Sequence, residues 1–215
     1  MDAIIANFPD FVSGFLVTLR LLVVSGAGAL VIGTVIAAMR ISPVAALRAF
    51  ATVYTEMLRN TPLTLVLFFC AFVLPSLGIR FDYITFATIG LTLYTSPFVA
   101  EAIRSGVNGV QVGQAEAARA IGLGFGQTVR LVVLPQAIRV VIPPLINVLI
   151  ALTKNTSVAA GFAVIELVAV SRQVIQFNGN ATIPILVAVA VFYLVITVPL
   201  GQLAAHLERR VAFLR

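Results

Sequence analysis

Four stretches of this chain carry no charged side chain: Leu21 to Met39, Asn60 to Ile79, Tyr83 to Ala100, and Gln173 to Leu207, the last interrupted only by His206. Each reaches or exceeds the ~18 residues that let a helix cross a bilayer. A fifth region, Val140 to Ile165, is equally apolar but holds Lys154 near its middle. The pattern predicts an all-α membrane protein in a single domain, with five transmembrane helices at about 13–39, 55–78, 83–103, 140–165 and 183–205. Composition closes the alternative. Only 10% of the residues are charged and the mean hydropathy is +1.10, against about 25% charged residues in soluble domains. A soluble enzyme of this size would not own enough polar side chains to cover its surface.

An odd number of spans puts the two termini on opposite sides. Cytoplasmic flanks collect Arg and Lys. With the N-terminus outside, the inner segments hold Arg40, Arg48, Arg59, Arg104, Arg119, Arg130, Arg139, Arg209, Arg210 and Arg215, and the outer ones only Arg20, Arg80 and Arg172. The expected topology is therefore N-terminus out, C-terminus in. Asp2 and Asp10 without a nearby base do not make the positive n-region of a cleaved signal peptide, so the first apolar segment is expected to remain. The formal charge of +6 is mostly this inside excess and forms no basic run, so no nucleic-acid partner is implied. Cys70 has no partner cysteine and His206 is the single histidine, which sets aside disulfides and Cys/His metal sites.

Six prolines (Pro62, Pro97, Pro143, Pro144, Pro184, Pro199) fall in or beside apolar segments. Each removes an intrahelical hydrogen bond, and in a bilayer the freed carbonyls must be satisfied by protein or water. Singly they read as packing kinks; together they favour a protein that opens a polar path. Lys154 is followed by Asn155, Thr156 and Ser157, a polar stretch ill suited to lipid. A charge near the bilayer centre costs at least ~2.5 kcal/mol and usually faces protein or water. Lys154 either presents a cation to a substrate carboxylate or fixes packing against a partner. Glu101 with Arg104, and Glu56 with Arg59, stand three apart and can pair along a helix. The acids Glu56, Glu101 and Glu166 all fall at span ends, unlike the intramembrane acids of ion-coupled carriers.

Between the third and fourth spans, the loop at about 105–138, the composition changes: from Arg104 to Arg139 there are six glycines, four arginines and an alanine-rich run. Gln114 to Ile121 is made of strong helix formers and stops at Gly122, suited to a left-handed C-cap. A second short helix, about Phe125 to Leu134, is expected to end at Pro135. The resulting knob, with Leu123 and Phe125 as exposed apolar residues, suits either docking into a partner's groove or resting on lipid headgroups.

Glu116-Ala117-Ala118, three residues, Gly122, nine residues, then Val132-Val133-Leu134-Pro135 resembles the EAA loop in membrane subunits of bacterial ABC importers, with Val132 where Ile is usual. Arg59-Asn60-Thr61-Pro62-Leu63 resembles the Arg-Gly-Thr-Pro-Leu of the polar amino acid uptake branch, with Asn60 in place of Gly. Leu152 to Ser157 resembles that branch's fourth-span motif. The closer likeness, carried by Gly113 to Arg119 and Ile150 to Thr156, is to glutamate importer permeases of actinobacteria.

The resemblance implies a cytoplasmic coupling helix between spans 3 and 4 and an ATPase contact at Glu116, Ala117, Ala118, Arg119, Gly122, Leu123, Leu134 and Pro135. The residues themselves lead us to expect a substrate path near Lys154, Asn155, Thr156 and Ser157, with Asn60, Thr61 and Glu101. No Gly-x-x-x-x-Gly-Lys-Ser/Thr is present, so no cofactor is expected on this chain, and ATP with Mg belongs to a partner. The implied partners are a pair of ATP-binding subunits, a second permease subunit, identical or paralogous, an extracellular substrate-binding protein and the lipid bilayer. Glutamate is the favoured cargo, with glutamine, arginine and histidine as others. The rival readings are an ion-coupled secondary transporter, for which no internal repeat is found, and a scaffold or channel subunit.

Overall fold

The computed structural model describes residues 2–212, so Arg215 of the charge count lies outside it and the side chain of Arg210 is not described. Every regular element among the described residues is helical. After a short turn at Asp2–Ala6 come α1 (Phe8–Ile41), α2 (Ala45–Arg59), α3 (Leu63–Ser76) and α4 (Tyr83–Asn108). They are followed by α5 (Val112–Ala120), α6 (Phe125–Phe162), α7 (Leu167–Phe177) and α8 (Thr182–Ala212).

Four helices, α1, α4, α6 and α8, are long and apolar enough to cross a membrane. The fifth passage is broken: α2 and α3 meet at 101° across Asn60–Pro62. The sequence region 55–78 therefore does not form one straight rod. Pro62 cannot donate an N–H to the helix before it and pushes Thr61 out of the α region. Instead it sits as the N-cap of α3, its carbonyl accepting from Leu65 at 3.0 Å.

The core is assembled around α1 and α4. Leu21, Leu67, Leu91 and Leu152 are buried together where α1, α3, α4 and α6 meet. Small residues set the spacing. A Cβ on Gly33 of α1 would stand 2.6 Å from Val99 Cβ and 2.7 Å from the Ser96 carbonyl of α4. A Cβ on Gly106 of α4 would collide with Val141 of α6. Lipid offers no hydrophobic drive between helices, so such close backbone approach is what holds them. Outward, α1 exposes Val23, Val31 and Val35, and α8 exposes Val187, Val191, Leu194 and Val195. An apolar surface of this kind is stable in hydrocarbon and unsuited to water.

Pro135 does not end the second short helix of the loop. The helix runs through it, because Val129–Val133 forms a π-turn just before Leu134-Pro135. Widening the turn relieves the clash between the proline ring and the carbonyl four residues back. The same device occurs in α3, where the π-turn Phe69–Val73 precedes Leu74-Pro75. Helix therefore covers much of the region expected as the 105–138 loop: α4 extends to Asn108 and α6 starts at Phe125.

Candidate functional site

The knob between α4 and α6 is held by its own backbone. Gly122 takes φ +89. The Gly122 amide donates to Arg119 O at 3.0 Å and the Leu123 amide to Ala118 O at 3.1 Å, the paired bonds of a Schellman cap. Only a residue tolerant of positive φ closes it without strain. The next helix is fixed by Gln127, whose Oε1 accepts the Gly124 amide at 3.0 Å. Ala118 is buried under the knob, while Glu116, Ala117 and Arg119 face outward with Ile121 and Phe125, both more than three-quarters exposed. Leu123 is half-buried rather than exposed, because it packs under the cap; Leu134 and Pro135 are exposed on the following helix. One acid, one base and two apolar residues thus stand exposed together on the knob.

A groove of about 440 Å³ opens between α4 and α6. Tyr94, Thr95 and Phe98 line it from α4, and Asn147, Val148, Ala151, Leu152 and Asn155 from α6. Asn147, Ala151 and Asn155 stand at i, i+4 and i+8, which brings them onto one helix face. Thr95 Oγ1 is buried with no hydrogen-bond partner. A buried hydroxyl without a partner costs free energy that a bound polar group would recover. All eight lining side chains are neutral. Arg59 stands against the wall, its guanidinium carbon 5.7 Å from the centre of the Phe98 ring, a cation–π approach.

Of the expected path residues, Asn155 alone lines this groove. The Lys154 side chain is exposed and pairs with no acid among the described residues. Thr156 is buried and donates to Thr153 O at 2.7 Å, and Ser157 donates to Lys154 O at 2.6 Å. Asn60 and Thr61 donate back into the end of α2, to Glu56 O at 2.8 Å and Met57 O at 2.7 Å. Glu101 is held between Arg40 of α1, at 2.7 Å, and Arg104 of its own helix. Its pairing with Arg104 is the one expected from the spacing. The pairing expected between Glu56 and Arg59 does not form: Glu56 accepts from Asn60 and Arg59 lies over Phe98.

Two features escaped the sequence reading. The α4 wall of the groove gave no signal, because Tyr94, Thr95 and Phe98 look like ordinary core; on α6, the i, i+4, i+8 spacing of Asn147 and Asn155 could have revealed the face. Glu166 was placed at a span end, yet it is wholly buried. It sits beyond the final turn of α6, where α7 folds back over α1 and α8 and removes it from solvent.

A long-helix bundle with a broken second passage, a capped knob on one end and a neutral, mostly apolar groove between two spans defines a multi-pass membrane component. Residues 29–213 match the family described as binding-protein-dependent transport system inner membrane component. The chain is 43% identical over 216 residues to the glutamate transport system permease protein GluC of Corynebacterium glutamicum, covering 95% of each. It is 40% identical to the probable glutamine ABC transporter permease protein GlnM of Bacillus subtilis, covering 95% of this chain and 94% of that protein. A solved amino acid ABC transporter with histidines superposes with a TM-score of 0.89 at 29% identity, over 96% of both chains. The chain belongs to the family of inner-membrane components of binding-protein-dependent transport systems, and it is a permease subunit of the amino acid importer type.

Proposed function

We propose that this permease carries glutamate inward along the groove between α4 and α6, driven by a separate ATPase pair that grips the Glu116 knob. The observation that carries the reading is the groove: two asparagines and a tyrosine stand among the residues that line a neutral space between two spans. Such donors suit a desolvated amino acid, whose carboxylate needs clustered hydrogen bonds. The names of the relatives support glutamate over glutamine, and Arg59 against the groove wall adds a cation within range of an acidic cargo. The knob supports a mechanical link, because its Schellman cap makes it rigid and its acid and base face outward. The Arg distribution supports an N-terminus outside and a cytoplasmic knob. A second permease subunit completes the path, since the groove is open on one side of this chain, and a binding protein delivers the cargo from outside.

Uptake of labelled glutamate, glutamine, arginine and histidine by the complex in proteoliposomes tests the cargo. Glutamate uptake is expected to exceed the other three; equal or greater glutamine uptake would overturn it. For the link, Glu116→Lys is expected to leave membrane abundance normal while copurifying ATPase and transport are lost. For orientation, Gly124→Cys in a Cys70→Ser background should react with an impermeant thiol reagent only from the cytoplasmic side, and Ser76→Cys only from the outside.

A further inference from the structure

Glu166 takes no part in the groove or the knob, and its surroundings are those of a fastening. One carboxylate oxygen accepts the Ala169 amide at 2.9 Å, capping α7. The other accepts the Tyr193 hydroxyl of α8 at 2.9 Å and lies 3.4 Å from the Thr18 hydroxyl of α1, which shares its proton with Gly14 O at 3.1 Å. Thr18 in turn accepts the Leu167 amide at 3.4 Å. One side chain thus joins three helices, and no Lys, Arg or His contributes to the network as recorded. Beside it Gly14 allows α1 to touch α7: a Cβ there would lie 2.8 Å from Val170 Cγ2 and 3.0 Å from Leu167 Cα.

From Asn155, which lines the groove, the chain leaves α geometry for the 3-10 stretch Thr156–Phe162, then reverses at Ala163 with φ +58. A non-glycine residue in the left-handed region persists only where its surroundings hold it there, and long 3-10 runs mark hinges. Four residues beyond Ala163 the chain enters α7, and what joins α7 to α1 and α8 by polar bonds is Glu166.

We propose that Glu166 is a positioning residue that latches α7 onto α1 and α8 and so fixes the course of the Thr156–Phe162 segment at the Asn155 end of the groove, a course that loosens when its bonds to Thr18 and Tyr193 release. The latch lies at the opposite end of α6 from the Glu116 knob. This rests on the groove being the translocation path.

The test uses the assembled complex with its ATPase and binding protein in nanodiscs, carrying Ser157→Cys and Cys70→Ser, and measures the rate of reaction with an impermeant thiol reagent. Glu166→Ala is expected to raise the rate about tenfold, as loss of two ordinary hydrogen bonds predicts. Tyr193→Phe removes one bond and is expected to raise it about threefold. Glu166→Gln, whose amide oxygen still accepts from Tyr193, is expected to stay within about twofold of wild type. Should Glu166→Ala assemble poorly, Tyr193→Phe and Thr18→Val supply the measurement. Unchanged rates in these variants would overturn the latch. So would an equal rise in labelling of the native Cys70 in chains that retain it, since that thiol is buried in the bundle and reports general loosening. The labelling does not depend on transport, so failure of wild-type complex to carry any amino acid would remove the proposed function and leave the latch readable.

Discussion

Glu101 and Glu166 solve the same problem, an acid held inside a helical bundle, in opposite ways. Glu101 keeps its charge and surrounds it with cations: Arg40 and Arg104 both reach it, and the three side chains remain 15–34% exposed. Glu166 has no cation among its bonded partners; hydroxyls and a backbone amide satisfy it, and solvent does not reach it at all. The first arrangement tolerates water and depends on Coulomb attraction, which salt screens. The second depends on geometry and is indifferent to salt. The two ends of this membrane protein are therefore held by different forces, ionic near the knob end of α4 and hydrogen-bonded near α7.

The comparison breaks most readily at Glu166. Glu166→Ala leaves the Ala169 amide and two hydroxyls without their acceptor, and is expected to destabilise the chain by about 2–4 kcal/mol, read as a lower thermal midpoint in detergent. Next is Glu101→Ala, which strands two arginines that water can still reach; about 1 kcal/mol is expected after solvent screening. Its effect should shrink in high salt while that of Glu166→Ala does not, and an equal salt response in both would erase the distinction. Removing one hydroxyl with shape retained sharpens it further. Tyr193→Phe should cost about 0.6 kcal/mol, the average for an interhelical hydrogen bond in membrane proteins. The smallest effect belongs to Asp82, which caps α4 as Glu166 caps α7, accepting the Thr85 amide at 2.9 Å, but stands in solvent. Hydrogen bonds from Thr85 hold its carboxyl below the usual carboxylate range. A depressed folded value means the cap's contribution is present above the unfolded value and lost as the pH falls through the folded one. The thermal midpoints of wild type and Asp82→Ala should therefore differ slightly at neutral pH and converge in acid.

The sequence made some of these features visible and hid others for physical reasons. The long apolar runs announce α1, α4, α6 and α8, since a bilayer demands length and composition that nothing else produces. Gly122 is legible because a helix of strong formers ending in glycine has few other outcomes. The Glu101–Arg104 pair is legible because its partner lies three residues away on the same helix, whereas Arg40 reaches it from another. Glu166 is hidden because its partners, Thr18 and Tyr193, are distant in sequence and ordinary in type. Pro135 misleads because the rule that proline stops a helix assumes an unbroken α ladder, and the π-turn before it removes that assumption.

Those π-turns also set a phase. Each holds one residue more than an α turn would, so the helix beyond it is rotated by about 100° relative to the helix before it, the angle of a single residue. Along α6 this means that the knob and the groove are indexed to two different clocks. Deleting one residue within Val129–Val133 would restore a single clock and turn Phe125–Thr128, the first turn of α6, roughly a quarter of the way round the axis of the span while leaving every side chain of the groove intact. One codon placed in that turn can thus change the direction in which Phe125 faces outward without touching the groove.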